Sequence, residues 1–538
     1  MDPSVISLVL IIVVLTLIYR RLTRRNDYFH DKPIPSMAVQ PGLGSTGPLI
    51  LHRVSFNDFI YSIYNKYPGV KVFGLFDLTT PMFVLRDPEL IKAVGVKDFD
   101  HFVDRRQIFG DCTNDSPDVY FNKMLVMLTG QRWRDMRATL SPAFTGSKMR
   151  LMLNLMTDYC GQAIPILKQQ ALDNGGYLNY EMKELFNRMG NDIIATCAFG
   201  LQVESIGNKT NNFYMMGKQL TNMNRWKPIL KAITMRLFPS LLNKFNIDIF
   251  DQEQTHYFAD IIREAVRTRE AKGIVRPDMI QMLMQAQKGT LKHVEESHTE
   301  SEAGFATVQE SNVGKQSVAK SMTEPELIAQ CLIFFLAGFD SISTMLMFMS
   351  YELALHPEIQ QCLYEEVRET HNKLEGEPIN YETLQQMKYM DMVVSETLRF
   401  WVPAAIDRLC IKDYTLDDGN GLKFTIEKGT AVWFPSYGIH HDPKYYPNPE
   451  VFDPERFSDA NRRNINMDAY LPFGVGPRNC IGSRFALMEM KALIYAVLLE
   501  FKLERTEETQ VPLKMAKGFV SIQSEKGVHL RVQLRNQS

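Results

Sequence analysis

The sequence predicts a mainly α-helical domain with a small β-rich part, set behind an N-terminal transmembrane helix. Three observations carry this. Val5 to Tyr19 is apolar apart from Ser7 and Thr16, and Arg20, Arg21, Arg24 and Arg25 follow it. Beyond residue 86 most of the chain is helical by hydrophobic period. Strand-like alternation is confined to short stretches at 70–86, 424–433 and 519–532. A length of 538 residues alone suggests three or four domains, yet no Gly/Ser linker, repeat or long charge block divides the chain after residue 50. The net charge of −2 implies no nucleic-acid or polyanion partner.

The first helix needs about 20 apolar residues to span a bilayer, ~17 at the short end, and the run reaches that once Pro3 and Ser4 are included. A cleaved signal peptide carries its positive charges before the apolar run and small residues after it; here the order is reversed. The positive-inside rule puts the N-terminus in the lumen and the remainder in the cytosol. Residues 3–20 are therefore read as a retained signal anchor, 21–50 as a basic hinge stiffened by Pro33, Pro35, Pro41 and Pro48, and 51–538 as one large domain. Gly42-Leu-Gly-Ser-Thr-Gly47 matches a dinucleotide fingerprint, but no strand precedes it and Pro48 stands where a helix should open.

Residues 70–86 read as a hairpin around Asp77 and Pro81. Phe102 to Phe121 mixes aromatics with Gly110, Asn114 and Pro117, a loop suited to roofing a pocket. In Gln131-Arg-Trp-Arg-Asp-Met-Arg137, Trp133 and Arg137 stand four apart on a helix, so an indole N–H and a guanidinium share one face. That pair suits a carboxylate ligand; a surface cation–π pair is the other reading. Residues 213–250, rich in Met, Leu, Phe and Ile, are either core or a partly exposed apolar helix–loop that dips into the membrane. Lys288 to Ser321 reads as a solvated linker.

Thr323-Glu-Pro-Glu326 carries a capping residue, an early proline and a capping-box acid. The helix it opens should run to the His356-Pro357 stop. Asp340, Ser341 and Ser343 fall near its centre, where an Asp in lipid would cost ~2.5–3.5 kcal/mol, so it is read as crossing a soluble domain. In Ala337-Gly-Phe-Asp-Ser341 two small residues would let a planar ligand lie against the backbone, and the adjacent acid and hydroxyl can relay protons. A helix-packing glycine beside a satisfied buried Asp is the alternative.

Glu396 and Arg399 are i and i+3 on a helix and can pair. The seven cysteines, at 112, 160, 197, 331, 362, 410 and 480, contain no Cys-x-x-Cys spacing for a zinc or iron–sulfur site and read as reduced. Phe473-Gly-Val-Gly-Pro-Arg-Asn-Cys-Ile-Gly482 is the most specific stretch. Its glycines would let the backbone pass close to something flat, and the helix that follows aims N–H groups back at the Cys480 sulfur, favouring a thiolate. Phe473 would shield that sulfur, and Arg478 would pair with a carboxylate at a cofactor's rim.

The combined spacing of Phe473, Gly476, Arg478, Cys480 and Gly482 resembles the cytochrome P450 family. The resemblance extends in order through anchor, proline segment, Trp133/Arg137 helix, acid–alcohol helix, Glu396/Arg399 pair and Arg456 in Pro454-Glu-Arg-Phe457. It implies the cytochrome P450 fold and a haem-thiolate monooxygenase. Haem b would be ligated axially by Cys480, which favours O–O cleavage, and its propionates held by Trp133, Arg137 and Arg408. Asp340 and Ser341 would steer protons; serine stands where the family usually has threonine. Glu396, Arg399 and Arg456 would form a structural network. Phe334, Phe339, Ala404, Ala405, Ile406, Phe519 and Val520 would contact an apolar substrate.

No convincing nicotinamide or flavin motif is present, so O2 chemistry would draw NADPH electrons from a separate NADPH–cytochrome P450 reductase, with cytochrome b5 as a second donor. Arg132, Arg134 and Arg478 are docking candidates, with solvated charges the alternative. The surroundings look most like microsomal members, and Phe-Leu-Ala-Gly-Phe-Asp-Ser is similar to insect members of the clan that handles foreign compounds. The expected location is the endoplasmic reticulum membrane, single-pass, with the catalytic domain cytosolic. Two further readings stay open: a haem-thiolate isomerase or dehydratase, which an NADPH requirement would exclude, and a haem-binding sensor, which needs no acid–alcohol pair.

Overall fold

A computed structural model describes residues 3–106, 119–221, 231, 251–289, 305–307, 322–518 and 522–535. Helix α1 (Pro3–Thr23) extends three residues past the expected anchor and exposes its aliphatic side chains from Val5 to Leu17. The chain then lays Phe29 edge-on against Phe76 and Phe83. These rings belong to the expected hairpin, β1 (Val72–Asp77) and β2 (Thr80–Leu85), paired antiparallel from Val72↔Leu85 to Asp77↔Thr80. The glycine run before it is no dinucleotide loop: Gly44 bridges to Asp77. Pro48 does sit in a helix start, the four-residue turn Gly47–Ile50. The reason is that proline's missing N–H is no loss in a first turn.

Helices α2 (Gly130–Leu140), α3 (Gly146–Asp173) and α4 (Met182–Ile194) follow, with β3 (Tyr177–Glu181) between the last two. Then come α5 (Asn212–Thr221) and α6 (Gln252–Lys272). Most of the pocket-roof loop, the 213–250 segment and the 288–321 linker lie outside the described residues. Within that linker, residues 305–307 are not free in solvent: the Phe305 ring packs 4.9 Å from Phe457 and 5.4 Å from Tyr470, and its N–H donates to Asp391 at 2.9 Å.

The central rod is α7 (Glu324–Leu336), a wide π turn at Ala337–Ile342, and α8 (Ser343–Leu355). It starts in the expected capping box: the Thr323 hydroxyl accepts the Glu326 N–H and the Glu326 carboxylate accepts the Thr323 N–H. The stretch Glu324–Leu355 is long and apolar enough to cross a membrane, but most of it is buried inside the domain. Helix α9 (Lys388–Phe400) leads into β4 (Ile406–Leu409), β5 (Tyr414–Asp417), β6 (Lys423–Ile426) and β7 (Ala431–Phe434). Helix α10 (Ser483–Glu500), β8 (Phe501–Arg505) and β9 (His529–Leu534) complete the chain.

The sheets have strand orders β1-β2-β7-β4, β3-β9-β8 and β5-β6, and β2 and β7 run parallel. One large apolar core surrounds the rod, and two smaller ones cover the faces of the four-stranded sheet.

Candidate active site

The loop that presents Cys480 takes its shape from its glycines and one close approach. Gly474 and Gly476 have φ of 85° and 68°, a region that favours glycine. A Cβ on Gly476 would lie 1.8 Å from the Gly95 carbonyl oxygen. The bare face expected to meet a flat ligand is, at Gly476, filled by the backbone of residue 95. The Cys480 N–H donates to the Phe473 carbonyl at 2.8 Å, and Gly482 flanks the start of α10. Cys480, Phe473 and Gly482 all line one cavity of about 600 Å3.

Burial pushes the Cys480 thiol up, and the Gly482 N–H, Arg137 and Arg105 pull it down less strongly. The N–H at the start of α10 thus acts in the expected direction, but burial acts more strongly the other way. Desolvation of a full charge outweighs one N–H, and it is a coordinated metal that removes the proton outright.

Four guanidinium groups gather at this loop. Trp133 and Arg137 line the cavity from α2, and Arg137 donates to Asn479 twice, Nη1 to the carbonyl at 2.9 Å and Nη2 to Oδ1 at 2.8 Å. Arg478 donates to the Val103 and Leu128 carbonyls at 2.7 and 2.6 Å and lies 4.0 Å over the Trp133 ring. At 3 % exposure it cannot dock a partner protein, which corrects that expectation; Arg134 is paired with Asp100 at 2.7 Å.

Arg408 is fully buried and bonded to the Asp407 and Val475 carbonyls at 2.8 Å, and its Nε has no hydrogen-bond partner. Arg105, which the sequence reading missed, lines the cavity and donates to the Arg478 carbonyl at 3.1 Å. It stands beside Arg106 after a stretch of mixed polarity, Asp98 to Asp104, that gives no local signal for a site.

Burial and the neighbouring Arg105 pull Arg408 down to about 9 and Arg478 to about 8. Asp104 and Asp407 oppose this without restoring the ordinary range. Buried guanidiniums in that state mark a site short of negative charge. A haem, with two propionates and a metal that takes a thiolate, fits both the cation excess and the Cys480 loop.

Across the cavity, Ala337, Gly338, Asp340 and Ser341 form the facing wall. Gly338 is bare for a packing reason as well: a Cβ there would meet Ile194 Cδ1 at 2.5 Å. Lys183 from α4 places its Nζ 2.8 Å from Asp340 Oδ1, and the Ser341 hydroxyl donates to the Ala337 carbonyl.

Phe334, Ala405 and Ile406 line the cavity. Phe339 does not: it is buried between Phe335 and Tyr214, at centroid distances of 5.4 and 5.9 Å. Ala404 points into the core that holds Met82 and Ala431. Phe519 and Val520 lie outside the described residues, and Ile522 just beyond them lines the cavity.

The network at α9 is continuous with the loop. Arg399 Nε and Nη2 donate to the two Glu396 oxygens at 2.7 Å, and Arg456 Nε stands 3.5 Å from Glu396 Oε1. Arg399 Nη1 donates to the His440 carbonyl at 2.9 Å. Burial pulls the His440 imidazole down to about 3, so it is neutral. Its Nδ1–H donates to the Arg399 carbonyl at 3.0 Å and its Nε2 accepts the Leu471 N–H at 2.8 Å, two residues before Phe473.

Comparison with known proteins gives the family. The cytochrome P450 family profile matches residues 41–530. Cytochrome P450 9e2 of Blattella germanica is 42% identical over 512 residues, covering 92% of each chain. Probable cytochrome P450 9f2 of Drosophila melanogaster is 39% identical over 528 residues, covering 97% of each. Cytochrome P450 3A2 of Rattus norvegicus is 35% identical over 531 residues, covering 97% of this chain and 96% of its own. With the Cys480 loop, the buried arginine cradle and the acid–alcohol turn facing one cavity, the chain belongs to the cytochrome P450 family and is a haem-thiolate monooxygenase using O2 and NADPH-derived electrons.

Proposed function

We propose that this monooxygenase oxidises lipophilic small molecules, foreign compounds foremost, while held by α1 at the endoplasmic reticulum membrane with its catalytic domain in the cytosol. Electrons arrive from a separate NADPH–cytochrome P450 reductase. The observation that carries the substrate class is the cavity wall: Leu125, Val126, Phe144, Ile194, Phe334, Ala405 and Ile406 offer apolar surface, while the charged side chains cluster at the propionate cradle and at Asp340. Such a site binds by excluding water and has few polar groups with which to demand one particular ligand.

In this reading Arg105, Trp133, Arg137, Arg408 and Arg478 hold the haem's anionic edge, and Cys480 ligates its iron. When bound, the haem supplies O2 activation. Asp340, tied to Lys183, and Ser341 hold proton-carrying groups at the opposite wall. Glu396, Arg399, Arg456 and His440 fix the loop's position. Relatives named cytochrome P450 9e2, 9f2 and 3A2 support the monooxygenase assignment, and the apolar cavity wall supports the lipophilic substrate class.

The test is spectral titration of the purified full chain with a panel of apolar and polar compounds, followed by turnover with reductase and NADPH. Soret shifts and NADPH-dependent hydroxylated products from several unrelated apolar compounds are expected. Response to a single polar compound would overturn the substrate class.

A further inference from the structure

One large aromatic side chain stands in the polar stretch 288–321. Phe305 is the only Phe, Tyr or Trp there, and the site described above gives it no role. Glu300, Ser301 and Glu302 precede it and Gln309 and Glu310 follow, so no local hydrophobic period sets its position. In the structure it is seated all the same. Its ring meets Phe457 and Tyr470 at 4.9 and 5.4 Å, and Ala306 beside it is 3% exposed.

Two separate lines of contact lead from this seat toward Cys480. The first is aromatic. Tyr470 stacks on His440 with centroids 5.6 Å apart and planes 12° apart, and its hydroxyl donates to the Ser395 carbonyl on α9 at 2.9 Å. The next residue, Leu471, donates its N–H to His440 Nε2 at 2.8 Å. Two residues further on, the Phe473 carbonyl accepts the Cys480 N–H. The second line is ionic. The Phe305 N–H donates to Asp391 Oδ2 at 2.9 Å, while Asp391 Oδ1 stands 2.9 Å from Lys491 Nζ. Lys491 is fully buried on α10, the helix that begins three residues after Cys480. A buried ammonium needs its counter-charge held in place, and the Phe305 N–H holds the second oxygen of that carboxylate.

We propose that Phe305 is a positioning residue for the cysteine loop: segment 305–307 docks in the niche of Phe457, Tyr470 and Asp391 and supports, from outside the cavity, both the loop that presents Cys480 and the helix after it. The inference rests on Cys480 being the iron's ligand. Phe305 does not line the cavity and acts through Tyr470 and Asp391. Without its ring, Tyr470 is freer to leave His440, and the Leu471–Phe473 segment that holds the Cys480 N–H loses its support.

The test uses the full-length holoenzyme and needs no turnover. In hydrogen–deuterium exchange, Phe305→Ala should speed exchange in peptides covering 470–482 at least about threefold and leave the β1–β2 hairpin unchanged. The thiolate–CO absorption should form at wild-type amplitude in fresh protein and then decay at least about threefold faster, with Phe305→Leu recovering part of the loss. In a Phe457→Leu background the effect of Phe305→Ala should shrink, since residues acting through one contact are not additive. If Phe305→Ala fails to fold, Phe305→Leu, which keeps apolar volume in the niche, replaces it.

Unchanged exchange at 470–482, unchanged decay of the thiolate–CO band, or full additivity with Phe457→Leu overturns the inference. So does a uniform rise in exchange over the whole domain, which would make the seat a matter of general stability. A wild-type thiolate–CO band that is missing, or that survives Cys480→Ala, would instead overturn the ligand reading, so the two failures are distinguishable.

Discussion

Arg137 grips Asn479 at two points, carbonyl and side-chain oxygen, one residue before the sulfur-bearing Cys480. The grip joins helix α2 to the thiolate loop, and the same guanidinium faces the cavity. Arg137→Ala should lower retained haem at least about tenfold, since charged hydrogen bonds are each worth about 1.5–3 kcal/mol. Arg137→Lys should recover only part, because an ammonium cannot reproduce the planar two-point geometry. Haem content after gel filtration measures both.

Gly476→Ala meets two obstacles. The φ of 68° costs a non-glycine residue about 1–2 kcal/mol, and its Cβ would stand 1.8 Å from a backbone oxygen of residue 95. Backbone at both ends of the contact leaves no side chain to yield. The expected outcome is loss of the red-shifted CO band with the helical circular-dichroism signal largely kept; an unchanged CO band would contradict the contact.

Arg399→Ala removes the two-point partner of a fully buried carboxylate and leaves it only the Asp453 N–H at 2.9 Å and Arg456 Nε at 3.5 Å. Stranding Glu396 should cost about 3–5 kcal/mol, while Arg399→Ala combined with Glu396→Ala should recover a large part of that loss. Urea midpoints of the two single variants and the double variant give the coupling.

Glu352, 4% exposed, accepts the Trp401 indole N–H at 3.0 Å. Burial first, and the Glu396 charge second, push it up to about 8. The folded chain therefore keeps a proton that the unfolded chain has lost. The stabilisation is complete below the ordinary Glu range and declines as pH rises from there through about 8. Glu352→Gln should flatten that decline and exceed wild type above pH 8 by roughly 2–4 kcal/mol. Thermal midpoints between pH 5 and 9 would show it; a parallel decline in both proteins would refute it.

Features set by local spacing were legible in the sequence. The capping box at Thr323, the hairpin at 72–85 and the Glu396/Arg399 pair are contacts between residues three to thirteen apart, set by local periods and one tight turn. Features set by tertiary facing were not. A π turn inserts one residue into the helical count, so the cavity face cannot be followed through 337–342 by a 3.6 period. Phe339 falls on the aromatic core for that reason, while Asp340 and Ser341 reach the cavity. Ala404 was misplaced because its neighbours on either side, Pro403 and Ala405, are the residues that face inward there. Lys183 and Arg105 carry no local signal: each acquires its neighbour from a segment far along the chain.

The pairing of β3 with β9 sets a schedule for synthesis. Tyr177–Glu181 is held by His529–Leu534, about 350 residues downstream, which at ribosomal rates is an interval of roughly 20 to 70 s. Throughout it the nascent chain carries an unpaired strand edge, and the core around the central rod cannot be sealed. Closure becomes possible only as translation ends, so chaperone protection and a ready supply of haem have their effect in that window.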